Sequence, residues 1–186
     1  YTPKRFTEKA ETFFKKPEGE QAPWKSVFGI NGKIDIDSIL IDDVHSCLEI
    51  AETKSMISIN REKYTKLYQD ILDMFYDSLK QQNESNLINI KDGDYASSPM
   101  LVPFWDFNSK ITELLNKFKD YKQEDIFKFN APMIIDMLEL CDCCISYDCI
   151  EISMRNLPIY KISSFENANR RIFMSATLED DSILIR

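Results

Sequence analysis

Two short strings hold the residues best suited to chemistry. Asp42-Asp43-Val44-His45 follows the apolar run Ser38-Ile39-Leu40-Ile41, and Ser175-Ala176-Thr177 follows Arg171-Ile172-Phe173-Met174. Two adjacent carboxylates at the end of a buried strand can serve one reaction in two ways. One holds a Mg²⁺ ion beside phosphate groups, and the other orients an attacking water. Read alone, the same aspartates are also compatible with solvated strand-end carboxylates. Ser175 and Thr177 put small hydroxyls at the tip of the second run.

Both runs read as strands that deliver polar groups at their C-terminal edge, where open α/β sheets bind ligands. Val44 to Thr53 is expected to leave that edge as a helix. The middle of the chain reads as helical. Tyr64, Leu67, Tyr68, Ile71, Leu72, Phe75 and Leu79 recur at intervals of three and four, which predicts one helix over 60–82. Residues 83–98 are mostly polar, with a turn at Asp92-Gly93-Asp94. A second helix carries Ile111, Leu114, Leu115 and Phe118, with Asn108 or Ser109 as its cap. A third spans Phe129 to Leu140, with Pro132 in its first turn. The period then changes. Ile145, Tyr147, Cys149, Ile150 and Ile152 suggest a strand with a turn near Asp148, and Pro158 to Ile162 a further strand. Near the start, Thr7 to Phe14 reads as a short amphipathic helix ended by Pro17-Glu18-Gly19.

Five cysteines occur, and Cys141, Cys143, Cys144 and Cys149 crowd together. Four thiolates invite a zinc or iron–sulfur reading. The spacing lacks the usual C-x₂-C opening, so the preferred reading is buried free thiols at the end of a helix, in a reducing cytoplasmic compartment. Among the aromatics, Tyr64, Tyr68 and Phe75 fall on a helix stripe and belong to the core. Phe104-Trp105-Asp106-Phe107 is less periodic and is the better candidate for a surface that stacks bases. Lys110, Lys117, Lys119 and Lys122 read as a solvated basic edge.

The hydrophobic share of 44% and charged share of 29% are those of a globular protein. The net charge of −8 gives no overall attraction to nucleic acid, so such binding would need a local patch. No run of eighteen apolar residues occurs, and no membrane partner is expected. The chain starts at Tyr1 and stops at Arg186, and both ends look cut.

At residues 38–45, SILIDDVH resembles motif II of the DEAD/DEAH-box helicases of superfamily 2. At residues 171–178, RIFMSATL resembles their motif III, whose core is Ser-Ala-Thr. The resemblance covers these strings only. It implies an α/β fold: part of a RecA-like motor lobe with few core strands, carrying a large, mainly α-helical insertion. It implies that Asp42 holds Mg²⁺, that Asp43 acts on the water, and that His45 couples hydrolysis to motif III through Ser175, Ala176 and Thr177. The family usually has Glu at the second position, and Asp43 is one methylene shorter. Thr2-Pro3-Lys4-Arg5 resembles a Thr-Pro-Gly-Arg motif of DEAD-box proteins that touches the nucleic-acid backbone, with Lys4 in place of Gly. That match makes Thr2 and Arg5, with Trp105, candidate nucleic-acid contacts. Otherwise the segment reads as a basic solvated terminus.

The sequence contains no G-x-x-x-x-G-K-[ST] phosphate loop among its four glycines. This chain alone is therefore expected neither to hold ATP tightly nor to unwind a duplex. The expected division is motor lobe over 1–45, helical insertion over 46–170 and return to the lobe over 171–186, with the two motif strands side by side. Iron–sulfur helicases are similar in this one respect, because their helical arch domain also sits between motifs II and III. The implied function is that of a partial ATP-dependent helicase or translocase, with Mg²⁺ and ATP as cofactors in the complete protein. Its implied partners are DNA or RNA and the rest of the motor. The alternative is a non-catalytic helical module that binds protein or single-stranded nucleic acid.

Overall fold

The computed structural model describes residues 37 to 157 and 163 to 175. Thr2, Arg5, the Thr7–Phe14 helix, the Pro158–Ile162 strand, Ala176 and Thr177 lie outside the described residues.

The fold is mixed α/β, with two separate sheets. The first holds β1 (Ser38–Ile41) and β6 (Arg170–Phe173), paired in parallel with Ile39 opposite Arg171 and Ile41 opposite Phe173. Backbone bonds continue the ladder beyond its ends. Arg170 donates to the Asp37 carbonyl over 3.1 Å, and Met174 to that of Ile41 over 2.8 Å. At the start of the pair, Asn169 Nδ2 and Ser38 Oγ donate to the Asp37 carboxylate and hold its pKa below the usual value.

Between these strands lies a unit with its own core. Helix α1 (Val44–Lys54) leads into β2 (Met56–Asn60), α2 (Thr65–Met74), α3 (Tyr76–Asp92), β3 (Met100–Leu101) and α4 (Phe104–Phe118). A π-helical turn (Ile126–Asn130), α5 (Ala131–Ile134) and a 3₁₀ segment (Ile135–Leu140) follow. The hairpin β4 (Cys141–Ile145) and β5 (Cys149–Met154) then completes an antiparallel sheet in the order β2-β5-β4-β3. A short α6 (Ser163–Glu166) precedes β6. Period-two alternation builds the sheet: Ile57, Ile59, Ile150, Ile152, Cys143 and Ile145 are fully buried on one face. Leu67, Tyr68, Ile71 and Leu72 of α2 and Phe107, Ile111, Leu114 and Phe118 of α4 cover that face, with Phe75 buried among them.

The unit between the two strands is thus helical in much of its length but organised on four strands, two of which the sequence reading missed. Met56-Ile57-Ser58-Ile59-Asn60 carries the alternation that marks β2. The single helix expected over 60–82 is broken at Phe75, where φ is −103° and ψ 7°. Lys110 Nζ takes the Met74 carbonyl at 2.6 Å, so an outside donor enters the helical ladder at the break. The polar stretch expected over 83–98 is helical as far as Asp92. Asn83 leaves the helical region, and its side-chain oxygen caps the Asn86 amide at 3.0 Å. Neither Asn108 nor Ser109 caps α4, which starts at Phe104 after Pro103. Gly93 ends α3 with φ +81°, in the expected turn. A Cβ there would also meet Arg61 Nη1 at 3.3 Å.

Cys141 directly follows the 3₁₀ segment, but it and Cys143, Cys144 and Cys149 lie on strands β4 and β5, whereas Cys47 is exposed on α1. Cys141 and Cys143 are buried, and Cys144 and Cys149 are partly so. Burial raises the Cys143, Cys144 and Cys149 thiols above their ordinary pKa, which opposes thiolate chemistry.

Candidate functional site

The parallel pairing of β1 and β6 places Asp42-Asp43 and Ser175 at one sheet edge, the C-terminal one. β1 ends at Ile41, and the chain turns at once. Asp43 takes the left-handed conformation, φ 49° and ψ 60°, and is the only non-glycine residue with positive φ among those described. That backbone costs an L-residue roughly 1 kcal/mol or more, and glycine would hold it without strain. The turn is braced locally. The Asp43 amide donates to Asp42 Oδ1 over 3.0 Å, and the Ser46 hydroxyl donates to Asp43 Oδ2 over 2.7 Å. The Cys47 thiol reaches the Asp42 carbonyl at 3.7 Å.

Helix α1 starts immediately afterwards, with Asp43 at its N-cap position and His45 exposed on its first turn. Val44 is buried, and its amide donates across the sheet edge to the Met174 carbonyl over 3.1 Å. Ser175, half-buried, is the next residue. The structure therefore brings together Asp42, Asp43, His45 and Ser175, four of the residues singled out from sequence.

Both carboxylates are exposed. Two adjacent carboxylates suit a hard cation that keeps most of its waters and takes its other ligands from bound phosphates. Among the described residues no group of three or more His, Cys, Asp or Glu side chains converges as a self-sufficient metal cage. A groove of about 510 Å³ lies at the far end of α1, bordered by Lys54, Ser58, Lys63 and Asn130 rather than by the aspartates.

Phe104 and Trp105 stand at the start of α4, 58% and 65% exposed, with ring centroids 5.2 Å apart and nearly perpendicular. Phe107 of the same string is buried, as are Tyr64, Tyr68 and Phe75. Of the four lysines read as a basic edge, Lys110 is paired with Asp106 at 2.9 Å and Lys117 with Asp70 at 3.2 Å. Lys119 donates to Asn116 Oδ1 at 2.6 Å. No helix of the described residues is long and apolar enough to cross a membrane.

Sequence reasoning missed Asn130. Its Nδ2 donates to the carbonyls of Thr53 and Met56, at the junction of α1 and β2. A single asparagine inside an apolar segment gives no signal of such a role.

Comparison of the chain with family models, curated proteins and solved structures finds no match.

Proposed function

We propose that this chain is part of a superfamily 2 helicase or translocase of the DEAD/DEAH-box kind. In this reading β1 and β6 belong to a RecA-like motor lobe, and the unit between them is an accessory insertion. The observation that carries it is the parallel pairing of β1 with β6. Two strings far apart in sequence, each resembling a helicase motif, end side by side at the edge where parallel sheets bind ligands.

Two further observations support the reading. Asp43, one of the two carboxylates, holds a left-handed backbone, and such conformations cluster at functional sites. Parallel strands normally lie inside larger sheets covered on both faces. Here Leu40 is 62% and Ile172 51% exposed, as expected of strands whose lobe includes more layers than this pair.

Asp42 would hold Mg²⁺, which supplies charge neutralisation on the ATP phosphates. Asp43 orients the attacking water. His45 and Ser175 follow Val44 and Met174, whose backbone bond joins the two strings, and in this reading they relay changes between them. The phosphate loop, the second lobe and its arginine finger belong to the remainder of the motor. Single-stranded DNA or RNA is the partner, with Phe104 and Trp105 as its stacking surface. The setting is cytoplasmic. ATP turnover by the full-length protein tests this reading, and Asp42→Asn is expected to abolish the part that nucleic acid stimulates.

The second reading is a non-catalytic binding module. The observation that favours it is the exposed Phe104–Trp105 pair on a unit that has its own core. On this reading strand binding survives every change at Asp42 and Asp43, and no ATP turnover accompanies it.

A further inference from the structure

Helix α1 is held at its ends more than along its flank. Val44 is its only buried residue, and Ile50 is 60% exposed. At one end, the Val44 amide is bound to the Met174 carbonyl of β6. At the other, the Ser55 amide takes the Ala51 and Glu52 carbonyls, both at 3.0 Å. The last link comes from the inserted unit. Asn130 Nδ2 donates to the Thr53 carbonyl at 3.2 Å and to the Met56 carbonyl at 3.1 Å. One amide thereby joins the final turn of α1 to the first residue of β2.

Asn130 closes the π-helical turn Ile126–Asn130, which packs against β2, an edge strand of the sheet. π turns are rare, and they are found frequently at functional sites. An α-helix of this length is a stiff rod of about 16 Å. Whatever moves its C-terminal end also moves Val44 and the aspartate turn before it.

We infer that Asn130 is a positioning residue, which couples the inserted unit to the Asp42–Asp43 turn through α1. A shift of the Ile126–Asn130 turn reorients the aspartates because the helix between them is tied at both ends. The link to nucleotide turnover rests on the ATPase reading above, whereas the mechanical link does not.

Hydrogen exchange on the 186-residue chain tests the mechanical link. Asn130→Ala removes the clamp, and Asn130→Asp keeps its size but has no N–H to donate. Asn86→Ala is the control, because Asn86 makes a comparable pair of bonds with Ser98, 2.7 Å and 2.9 Å, elsewhere in the unit. Both Asn130 variants are expected to exchange about tenfold faster over residues 42–56 and unchanged over β4 and β5. Asn86→Ala leaves 42–56 unchanged. Acceleration confined to 53–56, or equal acceleration in Asn86→Ala, overturns the coupling. In the full-length protein, Asn130→Asp lowers the stimulation of ATP turnover by nucleic acid about fivefold or more, with KM for ATP unchanged. Unchanged stimulation in an active enzyme overturns the regulatory link. A wild type without any ATPase activity overturns the reading beneath it, and the exchange result still decides the mechanical link.

Discussion

The backbone amide of Val44 donates to the carbonyl of Met174 across 3.1 Å, and Met174 donates in turn to Ile41. These bonds join the end of β1 to the end of β6, although the whole inserted unit lies between them in sequence. They place Asp42 and Asp43 beside Ser175, and Ser46 and Cys47 of α1 brace the same turn. The turn and its neighbour thus form one small assembly, from which α1 leads into the inserted unit.

Arg61 tests how the inserted unit is held together. Its guanidinium donates to the carbonyls of Ile90 and Tyr147 at 2.9 and 3.0 Å, and to Lys91 at 2.7 Å. It therefore ties the end of α3 to the β4–β5 turn, with the Tyr68 ring 5.3 Å away. Arg61→Ala is expected to lower unfolding free energy by about 2–3 kcal/mol in urea titration, because three carbonyls lose a charged donor. Arg61→Lys recovers only part, since an ammonium does not span three acceptors in one plane.

Tyr68 gives the pH dependence a definite sign. Its hydroxyl donates to the Ser146 carbonyl, and burial pushes its pKa up from 10.0 to about 12. The folded state thus favours the neutral phenol. Its contribution to stability is complete below pH 10 and is lost as the pH rises from 10 towards 12. Tyrosinate absorbance in alkaline titration is expected to show a late component. Tyr68→Phe removes that component and flattens the loss of stability over the same window.

Trp105 is expected to separate binding from folding. It is largely exposed, so Trp105→Ala leaves the unfolding midpoint nearly unchanged. Loss of a stacked base typically costs about 1–3 kcal/mol. Anisotropy with labelled single-stranded DNA and RNA is therefore expected to show weakening of at least about fivefold. Equal affinity for wild type and variant removes Trp105 from the contact surface.

Strands β1 and β6 and the helix after Asp43 were legible because each is marked by a local run of residues, whereas the pairing of the strands was expected only from the resemblance of the two strings to helicase motifs. An apolar run, two carboxylates and a helical stripe starting at Val44 name the elements and their order. The inserted sheet was less legible. Its strand β2 is five residues long and precedes a stronger helical signal, so the alternation at Ile57 and Ile59 is easily absorbed into the helix. The breaks at Phe75 and Asn83 depend on Lys110 and on a side-chain cap. Lys110 comes from another helix, and neither donor changes the hydrophobic period. Asn130 was invisible for the same reason. Its role comes from two carbonyls more than seventy positions away.

Asp43 separates the strain of the turn from the use of its carboxylate. Asp43→Gly relieves the left-handed backbone and is expected to raise stability by up to about 1 kcal/mol in the isolated chain. On the proposed ATPase reading, the same change in the full-length protein removes the carboxylate that would orient water, so turnover is expected to fall while stability rises. A variant that gains stability without losing turnover shows the carboxylate to be dispensable.

The most direct test is ATP hydrolysis by the full-length protein, with and without single-stranded nucleic acid, for wild type and Asp42→Asn. The substitution keeps the size of the side chain and its oxygen for the Asp43 amide, but removes the charge. The expected result is stimulated turnover in the wild type and a loss of about a hundredfold or more in the variant, with the fold intact by circular dichroism. Stimulated turnover that is unchanged in Asp42→Asn contradicts the assignment.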